Sequence, residues 1–353
     1  MAGKDAKKIL VRAPNWIGDA VMALPALEAL KALYRKADIT VLAKGRTVPV
    51  FQNNPHISEI IEYDDKRRHS GISGRLKLGG EIKRRGFDTA VLFQNAFDAA
   101  FLSFISGIPK RIGYARDFRS RLLTNAIPVT DEIKKVHQAF YYLNIVKTLG
   151  GEVPPRPLPR IYISPAERSW VEEFVSDNGL KRAFLIGAAP GASYGPAKRW
   201  PPEKFAEALT ILCEGRNGFP LIFGGPEDKE ACREVSKMLK MRHLDLSGKV
   251  YLRQFMALVA RLNLFITNDS GPMHVGSALS TSTVAIFGST DATLTGPLGP
   301  FAKVIKREID CSPCFERTCK FKHYRCLEVE PKEVARAAEA LLKEKEGAGK
   351  GRK

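Results

Sequence analysis

The feature that most restricts the fold is a unit that keeps returning. A short run of aliphatic and β-branched residues is followed by a polar or glycine-bearing turn, then by apolar residues at helical spacing. Continuous apolar runs belong to strands buried on both faces, and helices between them make the sheet parallel. In the first half, strands are expected over residues 7–13, 38–43, 58–63 and 88–94, and Pro25 in AVMALPALEALKALYRK suits a helix only near its start. The pattern breaks at GGEVPPRPLPR, whose four prolines cannot continue a helix, so residues 151–160 read as an extended linker. It then restarts, with strands expected over 183–190, 219–225, 262–269 and 283–289. The expected class is α/β: two doubly wound Rossmann-like domains, residues 1–150 and 161–353, facing across a cleft. Residues 331–347 read as a closing helix and 348–353 as a frayed basic tail.

Charge narrows the partners. The 353-residue chain carries 56 Lys and Arg against 38 Asp and Glu, a net +18, which favours something anionic. Eight Lys or Arg against the single acid Glu81 fall within 66–85, and Arg111, Arg116, Arg119 and Arg121 follow. This reads as a face for an anionic acceptor or lipid head groups, although a solvated helix face would look the same. No helix-turn-helix, RNP or zinc-finger pattern accompanies it, so nucleic acid is not an expected partner. Residues 1–20 contain no signal-peptide core and nothing later offers about 18 uninterrupted apolar residues, so a soluble cytoplasmic protein is expected.

Of six cysteines, Cys213 and Cys232 stand alone, while Cys311, Cys314, Cys319 and Cys326 are spaced C-x2-C-x4-C-x6-C. Without an export signal, reduced thiols or metal ligation are better expectations than disulfides. The spacing lacks the second, distant C-x2-C pair of a zinc ribbon, so packing is preferred and no metal is assigned.

Four strand ends carry candidate chemistry. In NWIGDA, residues 15–20, Gly18 permits close backbone approach, and Asp19 stands at or beside a helix N-terminus, where a carboxylate could equally be a cap. In GAAPGASYGPAKRWPPEKF, residues 187–205, small residues around Ser193 and Tyr194 would let amides approach an anion and Lys198 supplies a point charge, although P-loop spacing is absent. In TNDSGPMHVGSAL, residues 267–279, Ser270 can cap while the Ser270 and Gly271 amides point at a ligand such as a diphosphate, and His274 lies a turn further on. FGGPEDKE, residues 223–230, offers Glu227 and Asp228 to ribose hydroxyls, or merely to the next helix as caps.

Taken in order, PNWIGDAVMALPAL, GPAKRWP and TNDSGPMH resemble the ADP-heptose:lipopolysaccharide heptosyltransferases of glycosyltransferase family 9, over about residues 8–334. Asn-Trp-Ile-Gly-Asp is similar to the heptosyltransferase II branch; the heptosyltransferase I branch has a serine-rich Leu-Gly-Asp version. The resemblance implies a GT-B architecture and an inverting mechanism without catalytic metal or other cofactor, ADP-heptose being a substrate. It implies Asp19 as general base, Lys198 on the donor phosphates, and Asp269, Ser270 and Gly271 around the nucleotide. Ser193, Tyr194, Glu227, Asp228 and His274 complete the expected donor site; Asn15, Gly18, Arg111 and Arg121 are the expected acceptor contacts. The implied acceptor is the lipopolysaccharide inner core, Kdo2-lipid A already bearing heptose, reached by peripheral contact with the cytoplasmic face of the inner membrane. Heptosyltransferase I or III, or another nucleotide-sugar transferase of the family, is the alternative, and a non-enzymatic nucleic-acid-binding protein using the +18 charge a remote one.

Overall fold

The computed structural model describes residues 6–350 and divides into two compact units, residues 1–162 and 163–353. The prolines of 151–160 lie within the first unit, in chain without helix or strand. The closing helix, Pro331–Lys350, runs into the basic tail, whose last three residues lie outside the described residues.

The first unit is built on β1 (Lys8–Arg12), β2 (Asp38–Lys44), β3 (Glu59–Tyr63), β4 (Thr89–Leu92), β5 (Lys110–Tyr114) and β6 (Asn125–Ile127). They form one parallel sheet in the order β3-β2-β1-β4-β5-β6. The second unit contains β7 (Phe184–Ala189), β8 (Gly218–Ile222), β9 (Leu244–Asp245), β10 (Leu264–Asn268), β11 (Thr283–Phe287) and β12 (Ala302–Lys306). Their order, β12-β11-β10-β7-β8-β9, is the same winding when counted from the unit's own first strand. Each unit therefore has the dinucleotide-fold order 3-2-1-4-5-6.

All eight expected strands form, but β5, β6, β9 and β12 were not among them. KRIGY carries two cations and a glycine, β6 and β9 have three and two residues, and AKVIK alternates lysine with apolar residues. Three of these four are edge strands and β5 lies next to one, where no continuous apolar run is required. The segment around Pro25 splits into helices Ile17–Met22 and Leu24–Leu33, with the proline in the first turn of the second, where its missing N–H costs nothing.

Both sheets are buried on two faces. In the first, Leu10, Leu42 and Leu92 pack on Leu78 and Ile82 of helix Gly71–Arg85 and on Ala99 and Leu102 of helix Phe97–Ile105. Ile9, Val11, Ile39 and Val41, pointing the other way, are as fully buried. In the second, Trp200, 1% exposed, sits edge-on to Phe205, its ring centre 4.9 Å away, and joins a cluster with Ile186, Ile266 and Val334. Its indole N–H donates to the Val329 carbonyl at 3.1 Å, so the large side chain is buried with its polar atom satisfied. Trp200→Ala should cost the second unit about 3–5 kcal/mol, seen as a lower urea midpoint, with Trp200→Phe falling between.

Candidate functional site

In a doubly wound sheet the connections leave in opposite directions from the first and fourth strands, opening a crevice at their carboxyl ends. In the first unit these are β1 and β4, and the NWIGDA segment follows β1 directly. The N-cap position of helix Ile17–Met22 is held by Trp16 without a side-chain bond, so Asp19, in the first turn, is not the cap. Gly18 precedes it in the same turn. Burial pushes the Asp19 carboxyl up to about 6, partly opposed by the hydroxyl that Tyr142 donates to it. The Tyr142 phenol, itself buried beside that carboxylate, is held well above 10, so it stays a donor. Asp19 is thus ionised at neutral pH yet more basic than an ordinary carboxylate.

Two buried arginines shape the rest of this crevice: Arg12, which was not among the expected site residues, and Arg119, which was expected among the surface cations. Arg12, at the end of β1, donates to the carbonyls of Ala13 at 2.6 Å and Leu42 at 3.3 Å, and to Asn15 Oδ1 at 2.9 Å. It lies 5.4 Å from the centre of the Tyr63 ring. Arg119 donates to the carbonyls of Tyr114 and Gln94 and, at 3.2 Å, to Asn95 Oδ1. Burial lowers both guanidinium groups to about 10, which leaves them charged at neutral pH. Asn15 after β1 and Asn95 after β4 are therefore each oriented by a buried cation. Asn95 also donates to the Tyr141 hydroxyl at 3.0 Å. For Arg12 the available signal was an arginine closing an apolar strand, a position where an unpaired charge is not tolerated; Arg119, in the loop after β5, carried none.

Arg119 is accordingly not part of a surface patch. Arg111 does not join Asp19 either. It lies near the start of β5, at the amino edge of the sheet, with its guanidinium spent on the carbonyls of Leu122 at 2.6 Å and Ile108 and stacked over Phe104. Arg121 is exposed in the short turn Ser120–Leu122.

In the second unit the first and fourth strands are β7 and β10, and the two expected donor motifs follow them. They are brought together. Lys198 Nζ lies 2.6 Å from Asp269 Oδ2, with side-chain exposures of 12% and 4%, and the Thr290 hydroxyl also donates to that oxygen. Lys198 sits 4.7 Å from the centre of the Tyr194 ring, and Arg317 5.3 Å from it, so the ring lies against two cations. An ammonium has three N–H donors, and the carboxylate takes one. Ser193 is exposed in the same loop. Ser270 holds the N-cap position of helix Gly271–Ala278, but its hydroxyl donates back to the Asn268 carbonyl at 3.3 Å instead of capping, contrary to expectation. The helix thus opens at Gly271 without a side-chain cap, and His274 is buried within it. Asp228 accepts the Gly225 N–H at 3.1 Å and packs where a Cβ on Gly191 would stand, so its local work is to hold that turn; Glu227 beside it is exposed.

The cysteine-bearing segment buttresses this site. The Ala197 N–H donates to the Arg317 carbonyl at 3.0 Å, and Tyr194 donates to that of Phe315. Cys314 and Phe315 N–H groups both reach the Ser289 carbonyl, at 3.0 and 2.7 Å. Gly195, at φ 150, passes so close that a Cβ would lie 2.4 Å from the Arg317 oxygen. All six cysteines are free thiols, and among the described residues no group of three or more His, Cys, Asp or Glu side chains is arranged to hold a metal ion. Among the described residues, no helix is long and apolar enough to cross a membrane.

Known proteins share this arrangement. Residues 75–325 match glycosyltransferase family 9 (heptosyltransferase). Lipopolysaccharide heptosyltransferase 2 of Escherichia coli is 30% identical over 96% of this chain and 99% of its own. The solved structure of E. coli ADP-heptose lps heptosyltransferase II superposes with a TM-score of 0.81 at 29% identity, covering 96% of this chain and 99% of that one. The glycosyl transferase family 9 structure from Veillonella parvula gives 0.87 at 30% identity, over 96% and 98%. The two parallel six-stranded sheets are those of GT-B heptosyltransferases, and the chain belongs to glycosyltransferase family 9, the heptosyltransferases.

Proposed function

We propose that the protein is an inverting transferase that moves a heptosyl group from ADP-heptose to the heptose already present on the lipopolysaccharide inner core. It would act in the cytoplasm, at the membrane surface where a lipid-anchored acceptor is found. Likeness to heptosyltransferase 2 proteins over nearly the whole chain carries the choice of donor and acceptor. A half-buried, basic carboxylate at a strand end of the first unit and a cation-bearing strand-end loop in the second each support the chemistry.

Cleaving a sugar–diphosphate bond builds positive charge at the anomeric carbon and negative charge on the departing ADP. Asp19 takes the proton of the acceptor hydroxyl as that oxygen attacks, and the new glycosidic bond forms as the carbon–oxygen bond to phosphate breaks. Lys198, held by Asp269, and the amides opening helix Gly271–Ala278 receive the charge on ADP. Those fixed positive groups do the work a divalent metal does elsewhere, so transfer proceeds in EDTA. Asn15 and Asn95, oriented by Arg12 and Arg119, bind acceptor hydroxyls.

The deciding experiment incubates the protein with ADP-heptose and mono-heptosylated Kdo2-lipid A in EDTA. Mass spectrometry should show gain of one heptose; gain only on the heptose-free acceptor would assign the first transfer instead. Asp19→Asn should lower turnover by about two orders of magnitude or more while ADP-heptose affinity is retained. Because the folded carboxyl titrates near 6 and the unfolded one near 4, ionising it opposes folding as pH rises through that interval. Asp19→Asn should therefore be more stable than the parent at pH 8, by up to about 3 kcal/mol, with the difference gone below pH 4. The acid limb of kcat/KM should lie near pH 6, and Tyr142→Phe, which removes the hydroxyl that lowers the Asp19 pKa, should move it upward. Lys198→Ala should weaken ADP binding about tenfold or more by calorimetry as well as slowing turnover; unchanged affinity would remove Lys198 from the phosphate site.

A further inference from the structure

The helix that carries Asp19 opens on a residue unsuited to that place. Trp16 holds the N-cap position of helix Ile17–Met22, where Ser, Thr, Asp or Asn is favoured, and makes no capping bond. Nor is it packed away: Trp16 is 60% exposed, whereas Trp200 is buried. An indole that neither caps nor fills a core adds less to folding than a small polar residue would at the same position. Asp19 is the third residue of this helix. Side chains at the N-cap and at the third helical position stand over the same opening turn, the relation that a capping box uses. The exposed indole and the carboxylate therefore share one turn.

A cation completes the surface. β1 and β2 are parallel neighbours with Arg12 opposite Leu42, so Trp16 and Arg46, each four residues further on, leave the sheet side by side. The Arg46 guanidinium lies 5.1 Å from the centre of the Trp16 ring. Nearby cations are committed elsewhere, Lys44 to Asp65 at 2.6 Å and Arg12 to carbonyls and Asn15. Arg46 is exposed in the turn before helix Val48–Phe51, and among the described residues it forms no ion pair.

A pyranose ring carries C–H groups on its faces and hydroxyls at its rim. Its C–H surface is shielded from water most effectively by a flat aromatic ring, and indole is the largest that a side chain offers. A guanidinium is planar, always charged, and takes a carboxylate or phosphate through two parallel N–H bonds. We propose that Trp16 and Arg46 form an acceptor subsite for an acidic sugar, whose C–H face stacks on the indole while its carboxylate or phosphate meets Arg46. A sugar held there directs the hydroxyl of the adjoining residue toward Asp19. The inference rests on the reading of Asp19 as the base of a sugar transfer, but the binding it predicts requires no transfer.

The test therefore separates the two. With ADP present and no sugar donor, the full chain is titrated by calorimetry with the deacylated oligosaccharide of mono-heptosylated Kdo2-lipid A. The oligosaccharide is used intact, dephosphorylated, with its carboxylates reduced to alcohols, and with both changes. The parent should bind the intact form, Trp16→Ala about tenfold or more weakly, and Trp16→Phe between the two. Arg46→Gln should weaken binding about fivefold or more, and that penalty should vanish on the form lacking the anion that Arg46 holds, which tells phosphate from carboxylate. In the heptosyl assay the same variants should raise the acceptor KM with kcat and the ADP-heptose KM little changed. Thermal unfolding checks the fold; should Trp16→Ala misfold, Arg46→Gln in its exposed turn still decides. Failure of the parent to bind, a folded Trp16→Ala that binds like the parent, or an Arg46→Gln penalty that persists without either anion would overturn the proposal. So would a lower kcat at unchanged acceptor KM, which would make Trp16 a support for the helix that carries Asp19. Binding that is lost in these variants while no heptose is transferred would keep the subsite and overturn only the proposed reaction.

Discussion

The second unit depends on one buried amide. Asn268, the last residue of β10, accepts the Trp200 N–H at 3.0 Å and donates to the Pro190 carbonyl at 2.7 Å. Both ends of the loop leaving β7 are thereby fastened to the neighbouring strand by a single side chain. Leaving either buried partner unsatisfied would cost about 1–3 kcal/mol, so the loop has little choice of path. With Trp200 seated in the core, Lys198 two residues earlier is delivered to Asp269, the residue that follows Asn268. The ion pair is a consequence of the clamp, and the segment around Arg317 then closes over the loop from the other side.

The first unit solves the same problem with guanidinium groups. Arg12 and Arg119 are buried among carbonyl oxygens, where an unpaired cation would be intolerable, and each uses one remaining N–H on an asparagine side chain. Desolvation lowers both pKa values to about 10, yet charge persists because the acceptors are fixed in place. Rigid, pre-aimed polar groups at the two ends of a switch point are what a site for a hydroxyl-rich sugar requires. Asp19 differs from them: it is deliberately under-solvated, with one hydroxyl donor from Tyr142, and that is the origin of its basicity.

The sequence made the repeating architecture legible because buried parallel strands must be apolar on both faces, and seven of the eight expected strands, all but the edge strand β3, met that demand. It concealed β5, β6, β9 and β12, which are short or carry charge. At the sites, spacing identified the loops but not the wiring. Nothing local to Lys198 and Asp269, 71 positions apart, says that they pair, since that contact depends on β7 and β10 being neighbours. The arginines show the opposite failure. Arg111 and Arg119 resembled surface cations because composition counts charges without regard to depth, and the structure puts one on carbonyls at the amino edge and the other inside. Ser270 occupied the capping position its residue type suggested, while its hydroxyl found a nearer acceptor.

The winding shared by the two sheets also governs how the chain can be made. β1 is synthesised first but lies at the sheet centre, and its far-side partner, β4, emerges about 80 residues later, when Asp88 also receives the Lys7 and Lys8 N–H groups. Until then a strand meant for burial on both faces has only β2 and β3 beside it on one side, so the nascent first half keeps an apolar strand edge uncovered. Among the described residues no strand is exchanged between the sheets, so the first sheet can complete itself while the second, which repeats the same delay between β7 and β10, is still being translated.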